Sequence, residues 1–375
     1  MPVPTSRLTV LPLLPALGAG GVERSTLEIA DALVRAGHRA LVVSAGGRMQ
    51  PALAAIGGEH VTLDVGRKSL LTLRHVGALR RLFAQEGVDI VHARSRLPAW
   101  LARLALRGGR GTPPRFVTTV HGLNSPSWYS AVMVAGERVV CVSDTVRRHV
   151  LAHYPRTDPG KLRVIPRGID PARFPRAPRP DRIARELAAS MHPQLGGDGP
   201  LLLLPGRGTR LKGHGDALAL LAAMRAQGTD ARLWLPGARE THRGAYVSEL
   251  EVLGRQLGVE GMFAITPPTD DIGLAYAASD VVLQLSRRPE AFGRTVLEAL
   301  SVGRPVVGWD HGGVGEQLHA WFPQGAVAPF DAQALLAVAQ LAAAQPGAPA
   351  VTMPDTLRQM QEATLSLYDE LVRSD

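Results

Sequence analysis

"DVVLQLSRRPEAFGRTVLEALSVGRPVVGWD", Asp280 to Asp310, reads as an apolar run, a turn, a short helix and a second apolar run. Val296, Leu297, Ala299 and Leu300 suit a short buried helix that starts near Phe292 or Gly293, and the flanking runs are short and bounded by turn residues. Strand, helix, strand in that order makes a parallel pair with a crossover helix. Once this stretch is a βαβ unit, the rest of the chain falls into the same rhythm.

Short apolar runs alternate with helical patterns throughout. "LTVLPLL", "ALVVSA", "DIVHA", "FVTTVH", "RVVCVSD" and "KLRVIP" occupy the first half, and "LLLLPG", "ARLWLPG", "DVVLQLS" and "PVVGWD" the second. The expected architecture is doubly wound α/β, twice over, in a chain of 375 residues that exceeds what one core supports. "PRGIDPARFPRAPRPDRIARELAASMHPQLGGDGP", rich in proline and glycine, marks the connection near Arg167 to Pro200, with a helix at Ala184 to Met191. The expected domains are residues 1–175 and 176–354. A second break, "AAAQPGAPAVTMPD", sets off a last helix within 355–375 that packs back on the first domain.

Composition narrows the function classes. Cys141 is the single cysteine, so an intrachain disulfide and a cysteine metal cluster are both excluded, and a reducing cytoplasm fits. "SRLTVLPLLPALGAGG" has the makings of a signal peptide, but two prolines break it and the amphipathic "VERSTLEIADALVRAGH" follows, as a first strand, glycine turn and first helix require. No apolar stretch approaches the roughly 20 residues that span a bilayer. The net charge of +9 is uneven: residues 1–170 hold 23 Lys/Arg against 11 Asp/Glu, a net +12, and the remainder is net −3. Such a surface is either arginine-rich solvated face or one that meets anionic lipid or a phosphorylated substrate. Aromatics at 5% do not interleave with the basic residues, so nucleic acid is not an expected partner.

Ligands of open parallel sheets bind beyond the carboxyl ends of the strands, so residues that directly follow strands carry the chemistry, here in an expected cleft between two facing domains. Glu290 precedes the helix of the opening stretch, and Gly293 permits close approach to its open N-terminus. Glu298 lies within that helix, and a carboxylate accepts from two vicinal hydroxyls at once. After "GPLLLLPG" comes "GRGTRLKGH", which puts Arg207 and Lys212 where a diphosphate requires a fork-shaped and a point cation. Lys212 is followed by glycine, which rules out a Walker P-loop. His121 follows "RFVTTV"; His92 follows "VDIV", with Arg94 and Arg96 next. His311 in "WDHGG" is a weaker candidate, and His38 in "RAGH" a turn residue.

Taken together, Glu290 and Glu298 with Phe292-Gly293 between them, the Gly206-Arg207 and Lys212-Gly213 pairs, "KLRVIPRGID" and "GAGGVERSTLEIADAL" resemble the family 4 (group 1) retaining glycosyltransferases of the GT-B fold. "DIVHARSRLPAW" and "TTVHGLNS" resemble bacterial enzymes that build the lipopolysaccharide core. The resemblance implies that Glu290, beside the backbone of Ala291, Phe292 and Gly293, holds the donor sugar and Glu298 the ribose. Arg207 and Lys212 would neutralise the leaving diphosphate, and Gly20 and Gly21 would let backbone close over the phosphates. His121 matches the family's active-site histidine, while Arg167 stands where the family has asparagine, so no side-chain role carries over there. His92, Arg94 and Arg96 are acceptor-side candidates.

The implied activity is hexose transfer from a nucleoside-diphosphate sugar, UDP-linked by family habit, to a lipopolysaccharide core or related envelope glycan. It would take place at the cytoplasmic face of an anionic inner membrane, with the protein peripheral to it. No Asp-X-Asp occurs, so metal independence and the absence of a cofactor are expected. Three rivals stay open or fail on residues. A dinucleotide oxidoreductase fails because Glu23 stands at the third glycine of "GAGGVE" and "RALVVSAGG" ends without an acid. A nucleotide-sugar epimerase on the same fold, and a catalytically silent sugar-nucleotide-binding partner, remain.

Overall fold

A computed structural model describes residues 7–18, 20–108, 112–240, 244–345, 347, 349, 352–354 and 356–373. The chain divides into two compact units, residues 1–168 with 357–375, and residues 169–356. The break before "TLRQMQ", residues 342–355, falls partly on residues outside the described ones.

The first unit holds strands β1 (Thr9–Leu13), β2 (Arg39–Ser44), β3 (Glu59–Thr62), β4 (Ile90–Ala93), β5 (Arg115–Val120), β6 (Arg138–Cys141) and β7 (Leu162–Val164). Helices α1 (Gly21–Arg35), α2 (Gln50–Ala55), α3 (His75–Gln85), α4 (Arg96–Leu106) and α5 (Asp144–His153) connect them. The sheet is parallel in the order β3-β2-β1-β4-β5-β6-β7; Val10 pairs with Ala40 on one side and Ile90 on the other. Its strands are continuous apolar runs because helices cover both faces. Ile29, Ala30 and Leu33 of α1 pack into the core with Val10, Val42 and Val117; Leu33→Ala there would cost about 2–5 kcal/mol.

The second unit holds α6 (Arg182–Met191), β8 (Leu201–Leu203), α7 (His214–Ala226), β9 (Arg232–Pro236), α8 (Gly244–Gln256), β10 (Phe263–Thr266), α9 (Ile272–Ala278), β11 (Val281–Gln284), α10 (Arg294–Val302), β12 (Val306–Trp309), α11 (Gly312–Trp321), β13 (Ala326–Val327) and α12 (Ala332–Ala344). Its sheet is also parallel, in the order β10-β9-β8-β11-β12-β13. The last helix, α13 (Thr356–Arg373), sends Met360, Leu365, Leu367, Tyr368 and Leu371 into the core of the first unit. The proline-rich stretch after Gly168 is not a long free connection. It folds as part of the second unit, where Ser301 donates to the Phe174 carbonyl at 2.8 Å and the buried Arg304 guanidinium donates to the Pro178 and Ala277 carbonyls at 2.6 Å each.

Each sheet reverses its winding once, between β1 and β4 and between β8 and β11. Open α/β sheets place their ligands at these switch points, beyond the strand carboxyl ends.

Candidate active site

The helices that start at the switch points lack side-chain caps. Four helices elsewhere are closed by side chains, Ser143 accepting from the Val146 N–H for α5, Asp181 from Ala184 for α6, Asp271 from Leu274 for α9 and Asp331 from Ala334 for α12, whereas α2, α3 and α11 are not. The four helices that flank the switch points have no side-chain cap; they begin at Gly20 and Ser95 in the first unit and at Gly213 and Gly293 in the second. With no side-chain cap, the positive dipole ends of these helices favour oxygen ligands.

In the second unit two glycines build the site. Gly213 has φ +77°, and a Cβ there would lie 2.0 Å from the Leu285 carbonyl oxygen. The loop after β8 can thus press against the end of β11, and the Arg287 N–H donates to the Leu211 carbonyl at 2.8 Å. This stitching delivers Lys212 to Glu290: Nζ donates to Oε1 at 2.5 Å, with the two side chains 27% and 25% exposed. Ser286 Oγ donates to the same oxygen. Burial pushes the Glu290 carboxyl up, but the Lys212 charge and hydrogen bond, with Ser286, outweigh it and hold the group below its usual range. Oε2 has no partner among the described residues. Arg207, one loop away and exposed, makes no side-chain hydrogen bond or ion pair among the described residues.

The helix after Glu290 is packed more tightly than the sequence suggests. Gly293 adopts φ +102° and is buried, with a would-be Cβ 3.1 Å from Val314 Cα, so its smallness serves the packing of α10 on α11 rather than the approach of a ligand. Phe292 is buried and Ala291 half-buried. The Gly313 N–H donates to the Glu290 carbonyl at 2.7 Å, which fixes the backbone of the turn. Glu298 is buried and already engaged, accepting from Tyr276 OH at 2.9 Å and pairing with Arg294 at 3.3 Å. His311 bonds through Nε2 to the Ser286 carbonyl at 2.8 Å and so braces the turn that carries Glu290.

In the first unit the central residue is His121, directly after β5. Arg167 approaches its Nδ1 at 2.6 Å through a guanidinium nitrogen. Guanidinium has no acceptor, so Nδ1 must accept and the ring proton sits on Nε2. That Nε2 is buried and has no partner among the described residues. Burial first, then the charges of Arg167 and Arg94 and the neighbouring His92, hold the ring well below its ordinary value, hence neutral. Arg167 also donates to the Gly21 carbonyl at 2.9 Å, tying the first helix start to His121. Sequence reasoning left Arg167 without a role; its basic side chain a short step beyond β7 was the available signal. Gly20 and Gly21 are exposed at the start of α1.

The acceptor-side candidates separate. His92 lies inside β4, not after it, and is buried; its ring bonds to Tyr368 OH and to Thr119 Oγ1, each at 2.6 Å. Arg94 is buried as well, donating to Ser25 Oγ at 2.5 Å, and so is no surface-loop cation. Both belong to the support of His121: they line with it and Arg167 a cavity of about 20 Å³, room for one water rather than a sugar. Arg96, first residue of α4, stays half-exposed, 3.3 Å from Ser130 Oγ and over the Tyr129 ring.

Against known proteins, residues 19–173 match Glycosyltransferase Family 4 and residues 191–350 match Glycosyl transferases group 1. The chain is 33% identical over 190 residues to a D-inositol 3-phosphate glycosyltransferase of Kineococcus radiotolerans, covering 49% of this chain and 42% of that one. It thus spans less than half the length of that curated relative. Among solved structures, a glycosyltransferase from Rickettsia africae superposes with TM-score 0.83 at 26% identity, covering 98% of this chain and 100% of the other. Anabaena HepE, solved with UDP and glucose, gives TM-score 0.73 at 18% identity over 98% and 99%, a likeness of fold. With parallel sheets of seven and six strands and a matched domain on each, the chain joins a Glycosyltransferase Family 4 domain to a Glycosyl transferases group 1 domain and has the GT-B fold.

Proposed function

We propose that the protein transfers a hexose, with retention at the anomeric carbon, from a UDP-linked sugar to a lipopolysaccharide core or related envelope glycan. The single observation that carries this reading is the Lys212–Glu290 pair, delivered by the loops after β8 and β11 to one switch point, with the exposed Arg207 in the same loop as Lys212. A cation and a carboxylate that satisfy each other at partial exposure can exchange that contact for a ligand's diphosphate and hydroxyls. Arg207 and Lys212 take the departing diphosphate charge, and no metal is needed for that role. Glu290, through its free Oε2, accepts from the sugar hydroxyls. His121, neutral and protonated on Nε2, donates to the transferred sugar. Glu298 stays near the ribose, its reach set by Tyr276 and Arg294.

Retention without a nucleophilic carboxylate implies departure and attack on one face, the leaving diphosphate itself drawing the proton from the acceptor hydroxyl. The curated relative is named for a phosphorylated acceptor, and the net +12 of residues 1–170 suits a phosphorylated acceptor here. The same charge supports a peripheral position on the inner face of an anionic membrane.

Incubation with a panel of nucleotide sugars, with and without acceptor glycans, tests the reading. Free nucleoside diphosphate together with an enlarged acceptor is the expected result. An isomerised donor would instead establish the epimerase, and binding without turnover the silent partner. Glu290→Gln is expected to lower turnover by about a hundredfold or more with the melting temperature little changed; undiminished transfer in that variant refutes the assignment.

A further inference from the structure

The segment "GRKSLLTLRH", Gly66 to His75, carries the largest exposed apolar group of the first unit. Leu70, Leu71 and Leu73 are 86%, 71% and 51% exposed on a single turn of 3-10 helix between β3 and α3. The turn is fixed from below: Thr72 is buried and donates to the Arg67 carbonyl at 2.7 Å, and Ser69 Oγ accepts from the Leu71 N–H at 3.3 Å. Its leucines are therefore held outward by the fold. Arg67, Lys68 and Arg74 surround them, all exposed and, among the described residues, with no side-chain partner. Asp64 and His75 are the other titratable groups lining this spot.

We infer that this turn is a membrane-docking surface that inserts Leu70, Leu71 and Leu73 at the interface of an anionic bilayer while Arg67, Lys68 and Arg74 contact lipid phosphates. Three outward leucines ringed by three unpaired cations complement an apolar layer roofed by negative headgroups. Neither signal alone holds a protein at a membrane, and the two occur here on one turn. A second exposed apolar stripe, Ile183, Leu187 and Met191 on α6, lacks this complement: Asp181 and Glu186 stand among its arginines, and Arg185 is turned toward Asp280 at 3.5 Å. The inference deepens the proposed membrane association by locating it, and rests on that part of the reading alone.

Flotation of the purified full chain with vesicles of phosphatidylcholine, with and without phosphatidylglycerol, tests it in the absence of any nucleotide sugar. The chain is expected to float with the anionic vesicles and to be released by salt. Arg67→Gln, Lys68→Gln and Arg74→Gln together should weaken binding by on the order of a hundredfold at low salt. Leu70→Ser, Leu71→Ser and Leu73→Ser together should abolish most of it without lowering the melting temperature, whereas Ile183→Ser, Leu187→Ser and Met191→Ser together should leave it intact. Failure of the wild type to float, unchanged flotation of the leucine variant, or a leucine variant that turns a dimer into a monomer would each overturn the proposal. A chain that floats but transfers no sugar keeps this surface and sinks only the activity.

Discussion

At the switch point of the second sheet, Lys212 and Glu290 face each other with about a quarter of each side chain open to solvent. At that of the first, His92 and Arg94 are sunk into the unit and Arg167 is closed over His121. The strand orders match, 3-2-1-4 in each half, but the charges serve opposite ends. On the proposed reading those of the second unit are exchangeable, a ligand taking the place of either partner. In the first they are permanent, and their work is to hold one imidazole neutral with its proton on Nε2. The fold supplies the place; the loops decide whether charge there binds or orients.

The largest effect should come from breaking the exchangeable pair. Lys212→Met removes the cation that offsets burial at Glu290, so the Glu290 carboxyl should titrate higher while the diphosphate loses a point charge. Turnover per unit donor concentration is expected to fall by about a hundredfold or more. Combined with Glu290→Gln the losses should be far from additive, because the two act as one contact. Additive losses in that double-mutant cycle would break the comparison.

Acid should separate the units next. His92 and His121 in the first unit and His214 in the second are each depressed, with burial the leading cause; His214 is held to about 4. An unfolded histidine binds a proton near pH 6.5, and these folded ones do not. The unfolded state therefore binds more protons below that pH, and stability falls as pH drops from about 6.5 through the folded values. His214 contributes roughly 3 kcal/mol at most, spent by about pH 4. Among the described residues His38, His60 and His149 join His92 and His121 as depressed histidines of the first unit, against His192 and His214 in the second, so amide-exchange protection should fade first in the first unit on acidification. Earlier loss in the second would reverse the contrast.

Much of this was readable in advance. All ten strands expected from apolar runs are present, because parallel strands covered on both faces are written as unbroken Val, Ile and Leu. The three that were missed, β3, β10 and β13, are the outer strands at three of the four sheet edges, short and in β3 largely uncovered, where no apolar run is required. Lys212 and Glu290 were legible because each sits in a local pattern of glycine turn and helix start. Tyr276 and Arg167 were not, since what they do depends on neighbours that only the tertiary fold brings near; Ser286 lies four residues from Glu290 in the same loop, and a serine there carries no pattern of its own. His92 was misplaced by one step of register: "DIVHA" continues as strand through Ala93, paired residue by residue with β5, and a position within a central strand points into the core.

The smallest and most discriminating change concerns Arg167, where the family places asparagine. Arg167→Asn removes a charge that helps depress His121, though burial, the larger cause, remains. The imidazole should then protonate at higher pH, and the acid limb of the rate profile should move upward toward the ordinary histidine range. An amide can donate or accept, so Nδ1 is no longer forced to accept and the ring samples both tautomers; about tenfold in turnover is the expected cost, near 1.4 kcal/mol. Arg167→Lys, which can only donate, should restore the tautomer and most of the rate. Imidazole nitrogen shifts read the tautomer directly and would not respond to a merely structural loss. If the acid limb and those shifts are the same in Arg167→Asn as in the native chain, then the first unit does not orient its histidine by fixed charge, and the contrast with the second unit fails at its most specific point.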